Sequence, residues 1–152
     1  MMSRFKMLLA LTLLAQVTSQ AFAHCEVPCG IYADQRRFEE MLEDTATIAK
    51  AIDQINELAT KDDALSHNQL ARWVATKESH ATNTQHIIAQ YFMTQRIKPT
   101  AEGYDKQLKA AHAVMVAAMK TKQGVDPKSA TALKEAIHDF YRAYEGKEPH
   151  LH

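Results

Sequence analysis

This 152-residue chain has little that interrupts a helix: only four glycines and four prolines. Aromatic residues are also sparse, at 7%. Alanine, leucine and methionine are plentiful, and the balance favours long helices over strands. There is no strand-like alternation, no internal repeat and no low-complexity stretch. The formal net charge is zero, which gives no attraction for a polyanion and speaks against a nucleic-acid partner. Beyond residue 23 no apolar run is long enough to cross a bilayer. Cysteine is scarcest of all, with two in the whole chain, Cys25 and Cys29.

The first 23 residues have the layout of a secretory signal peptide. Arg4 and Lys6 make a short basic start. Met7 to Val17 is an almost unbroken apolar run, too short to span a membrane comfortably. Ala21-Phe22-Ala23 is a small-x-small site for signal peptidase. Cleavage there makes His24 the new N-terminus. It removes two basic residues and no acidic one, which leaves 16 basic against 18 acidic side chains and a formal charge of −2. The mature form is expected to be exported, periplasmic or extracellular, and not membrane-bound.

From residue 33 to residue 152 the apolar spacing predicts four helices. Asp34 can cap the first, and Phe38, Met41, Thr45, Ile48, Ile52, Ile55 and Ala59 recur at three and four. Ser66, with Gln69 as capping-box partner, opens the second. Its stripe is Leu70, Trp73, Val74, Ala81, Ile88, Tyr91 and Phe92, ending near Arg96 before Lys98-Pro99. Thr100 caps the third, with Tyr104, Leu108, Ala111, Met115, Ala118 and Met119, and Gly124 stops it. Asp126-Pro127 starts the fourth, with Ala130, Leu133, Ile137, Phe140, Tyr141 and Tyr144 as its stripe. Four such helices on short loops bury their stripes best as an all-α, antiparallel four-helix bundle.

The chemistry concentrates at residues 24–32. A free α-amine on His24, the backbone nitrogen of Cys25 and the Cys25 thiolate lie along one short run of backbone. A metal bound by all three closes two fused five-membered chelate rings, and Cys29 returns a second thiolate across the turn. Such an N2S2 plane suits nickel(II) or copper(II), and thiolates favour soft or borderline metals. The His24 imidazole is left for an axial position. Zinc would need four tetrahedral side-chain ligands, which are absent at any usual spacing. Anionic sulfur and amidate donors stabilise nickel(III), so this set points to one-electron redox chemistry.

His24-Cys25-Glu26-Val27-Pro28-Cys29-Gly30-Ile31-Tyr32 resembles the hook of the nickel-containing superoxide dismutases, whose fixed positions read H-C-x-x-P-C-G-x-Y. The resemblance implies a four-helix bundle, a nickel ion, superoxide as substrate and a homohexamer. It implies that His24, Cys25 and Cys29 are the metal ligands, and that Tyr32 stands at the open face to order water and limit access. Pro28 shapes the hook through a cis Val27-Pro28 bond, and Gly30 lets the chain turn close to the metal. Glu26 stands where the family often has aspartate. A glutamate early in the first helix holds the axial histidine in the family. Glu39 is the choice for that place, with one residue deleted after Tyr32; ungapped counting would give Glu40. Some members add an arginine in a K-E-x-R context, where this chain has Lys77-Glu78-Ser79-His80. His80 thus stands in the arginine's place, either as its replacement or as an ordinary surface histidine. Lys77-Glu78 and Tyr91-Phe92 are smaller echoes.

Two other functions fit parts of the pattern. An exported nickel or copper carrier would use the same hook without turnover, but has no use for a gate such as Tyr32. A helical interaction protein would join Cys25 to Cys29 in a disulfide, but so short a loop restrains little chain.

Overall fold

A computed structural model describes residues 34–149. Helix α1 spans Gln35–Leu58, α2 Ala64–His86, α3 Tyr104–Gln123 and α4 Pro127–Glu145. A π-helical segment, Ile87–Arg96, continues α2. There is no strand among the described residues. Helix α1 packs on α2 and α4, and α3 packs on the same two, so the four form a closed antiparallel ring around one core. None of the described helices is long and apolar enough to cross a membrane.

The α1 stripe is buried as the spacing predicts, from Phe38 and Met41 to Ile52 and Ile55. In α4, Ala130, Leu133, Ile137, Phe140 and Tyr141 turn inward. Asp126 caps α4 by accepting from Lys128 N at 2.9 Å, with Pro127 in the first turn. The helix closes at Gly146, whose φ of 69° favours glycine.

Helix α2 opens earlier than expected. Asp63, not Ser66, is the N-cap, and its carboxylate accepts from Ser66 N at 2.9 Å. Ser66 is the third residue of the helix, where the cap's bond is received. Helix α3 opens later than expected. Thr100 does not cap it; a turn intervenes, and Gly103 holds the N-cap position at φ 76°.

Two stripes also differ. Leu70 and Trp73 are half-buried and Val74 is exposed, because the neighbours leave the first half of α2 only partly covered. In α3 the inward line is Ala111, Val114, Ala118 and Thr121, at spacings of three and four. Met119 lies one residue off that line and is exposed.

Lys77 is a buried lysine. Its Nζ donates to Thr121 O at 2.6 Å and Lys122 O at 2.8 Å, closing carbonyls that the end of α3 leaves open. An ion pair to Glu78 at 3.2 Å completes its shell.

The aromatic residues gather at the end of the bundle where α1 begins and α4 ends. Phe38 lies 4.9 Å from Phe92, 5.2 Å from Phe140 and 4.9 Å from Tyr141, between ring centres. These tilted and edge-on pairs pack the core beneath the start of α1.

Candidate functional site

The hook residues His24, Cys25, Glu26, Pro28, Cys29, Gly30 and Tyr32 lie outside the described residues. The description starts at Asp34, two residues past Tyr32. Asp34 is buried, and its side chain makes no capping bond to α1 although it holds the N-cap position. Its carboxylate points at α2 and α4 instead. Tyr91 Oη donates to Oδ1. Arg96 donates to Oδ2 through Nη2 at 2.7 Å and Nε at 3.1 Å, and Tyr144 Oη donates to the same oxygen at 2.6 Å.

The π segment lets Tyr91 and Arg96 share this acceptor. In an α-helix, residues five apart point ~140° away from each other. Bonding from i to i+5 widens the turn and brings such residues closer to one face. Thr94 follows this register, with its Oγ1 donating to Ala89 O five residues back at 2.7 Å.

Burial alone would raise the Asp34 pKa, but the bonds from Arg96, Tyr144 and Tyr91 outweigh it and hold the carboxyl below its usual value. A depressed folded-state pKa contributes stability above the unfolded value of 3.8, lost as pH falls through the folded value. Asp34→Asn is therefore expected to cost about 2–4 kcal/mol at pH 7. The gap to the parent should shrink towards pH 3, as followed by urea unfolding across that range. An equal gap at both ends would contradict the assignment.

A second polar network joins α1 to α2. Asp44 is buried and takes His80 Nδ1 at 2.6 Å, Asn83 Nδ2 at 2.9 Å and Thr84 Oγ1 at 3.2 Å. Burial pushes its carboxyl up, against the lowering effect of His80 and the other donors. Asn83 also donates to Glu40 Oε1 at 3.3 Å, and Glu40 pairs with Arg37 at 2.8 Å. Glu40 is thus linked to His80 through Asn83 and Asp44. Glu39 is turned elsewhere: it accepts from Gln35, which in turn accepts from Tyr141 on α4. His80 is no isolated surface histidine, since its ring is held by a buried carboxylate.

Sequence reading missed Asp44, Asn83, Arg96 and Tyr144 as members of these networks. Asp44 carried a legible signal: it lies three residues after Met41 and four before Ile48, at core spacing. Thr84 sits likewise between Ala81 and Ile88. A polar residue at core spacing is one that needs a partner.

Among the described residues, no group of three or more His, Cys, Asp or Glu side chains is placed to hold a metal ion. Both cysteines lie in the hook. The residue types there, one histidine and two cysteines, offer imidazole and thiolate donors of a kind that suits nickel.

Comparison with known families decides the identity. The profile of the nickel-containing superoxide dismutases matches residues 19–148, which takes in the hook and all four helices. The chain belongs to the nickel-containing superoxide dismutase family. It is an oxidoreductase that acts on superoxide and uses nickel, and the carrier reading is not favoured. No curated protein and no solved structure matches the chain.

Proposed function

We propose that the active form of this nickel superoxide dismutase is the exported chain beginning at His24, cut free by signal peptidase. The observation that carries this reading is a coincidence of two independent signals: the small-x-small site ends at Ala23, and the hook pattern requires histidine first. The mature form is soluble, in the periplasm or outside the cell.

In this form His24 offers its α-amine and its imidazole, Cys25 its backbone nitrogen and thiolate, and Cys29 the second thiolate. Bound nickel supplies a one-electron couple between its divalent and trivalent states. The reaction consumes two superoxide anions and two protons and yields one peroxide and one dioxygen. Tyr32 would order water beside the metal and limit what enters. Pro28 and Gly30 shape the loop, and Glu26 lies within it. An early α1 glutamate, Glu39 or Glu40, would hold the His24 imidazole. The link from Glu40 to His80 favours Glu40, with His80 fixed by Asp44 in the arginine's place. Chain termini gain order when something packs against them, and neighbouring subunits of a homohexamer would do this for the hook.

Intact mass, metal analysis and sedimentation on the exported protein test this together. The expected result is a chain starting at His24, one nickel per chain and a hexamer. A retained leader in active protein, or a fully active monomer, would overturn the corresponding part.

A further inference from the structure

We propose that Asp34 is a latch that holds Ile87–Arg96 in the π register. Without its carboxylate the segment rewinds to an α-helix, and Arg96 and Ile97 turn away from their present partners. Three observations carry this.

The segment's own residues do not require a π-helix. Ile87–Arg96 contains neither glycine nor proline, and Ala89, Gln90, Met93, Gln95 and Arg96 are good α-helix formers. Just before it the bonding is ordinary, with Ile87 N donating to Asn83 O four residues back. π-Helices mostly occur as single turns inside α-helices, yet this one runs for ten residues. The register therefore comes from tertiary contacts.

Those contacts join residues five apart. Ile97 N donates to Phe92 O at 2.8 Å, and Ile87, Phe92 and Ile97 are all buried. Tyr91 and Arg96 meet on Asp34. In an α-helix the members of such pairs diverge by ~140°.

The apolar line and the carboxylate differ in what they demand. An α register would still keep Ile87, Ile88, Tyr91 and Phe92 on one face at ordinary core spacing, and only Ile97 would leave. The carboxylate has no such alternative. Asp34 is 7% exposed, and a buried charge is costly once its donors go. Tyr144 reaches it from α4 in either register. Arg96, its ion-pair partner, meets it alongside Tyr91 only in the π register. Held there, Arg96 sets how the chain enters the turn from Lys98 to Gly103 that leads into α3.

Crystal structures of the protein and four variants test this. In the parent, Ile97 N should bond Phe92 O, and Thr94 Oγ1 should bond Ala89 O. In Asp34→Ala, Ile97 N is expected to move to Met93 O and Thr94 Oγ1 to Gln90 O, with Ile97 N beyond ~3.5 Å of Phe92 O. Arg96→Met removes the ion pair from the other side and should rewind the segment likewise. The Arg96 side chain is 34% exposed, so this variant stands in if Asp34→Ala does not fold. Ile97→Ala and Ile55→Ala are the controls. The first trims the apolar line, and the second loosens the bundle near the far end of α1. Both should keep the π register. A π register retained in either Asp34→Ala or Arg96→Met overturns the latch. So does rewinding in either control, or a parent that is α-helical throughout.

Discussion

Replacing Cys25 or Cys29 by serine is expected to bring both nickel content and dismutation down to the level of metal-free protein. A neutral hydroxyl is a hard, weak donor where the ion requires an anionic sulfur. The described residues provide no second group able to take the metal over. His24→Ala should behave differently. It keeps the α-amine, the backbone nitrogen and both thiolates, so nickel(II) should stay bound. It loses the imidazole, whose donation would favour the oxidised state of the metal. Turnover should fall roughly 10-fold or more, equivalent to at least ~1.4 kcal/mol on the barrier. Metal analysis with pulse radiolysis reads both quantities. Full nickel in a cysteine variant would refute the ligand set, and full turnover in His24→Ala would refute the axial role alone.

The helices were legible because each carries apolar residues at helical spacing and several ends are marked by glycine, proline or a capping aspartate. Where a side chain competes locally, the reading slipped by a few residues. Asp63 captured the Ser66 N–H and moved the start of α2, and Gly103 moved the start of α3. The π register was not visible at all, since Ile87, Ile88, Tyr91 and Phe92 suit an α-helix as well as a π-helix. Partner helices decide burial, and a single helix's pattern cannot report them. Trp73 and Val74 looked like core, yet the ring of helices leaves them partly in solvent.

At the candidate site, the hook pattern could be read because it occupies nine consecutive residues. The polar contacts of the bundle are distributed. Lys77 meets its carbonyl partner 44 positions away, and Asp34 meets Tyr144 110 positions away. Such contacts leave no spacing to read. Glu39 and Glu40 show the same limit: adjacent in sequence, one bonds Gln35 within its own helix and the other Asn83 on α2, and only the fold separates the one that reaches the His80 network.

Adding one residue ahead of His24, or blocking cleavage after Ala23, is expected to abolish activity while leaving the helices intact. The α-amine at His24 would become a peptide nitrogen, which cannot bind a metal as a neutral amine does. The chelate ring that it closes with the Cys25 nitrogen would be lost, and the imidazole would no longer hang from the terminus. The bundle should be indifferent to the change, because α1 begins at Gln35 and its core contacts start at Phe38. Circular dichroism and thermal unfolding should therefore match the parent's, while bound nickel and dismutation fall to background. Removing the extra residue with a site-specific protease should restore both on adding nickel. A fully active extended protein would show that the amine is not a ligand, and would rule out the hook as proposed here.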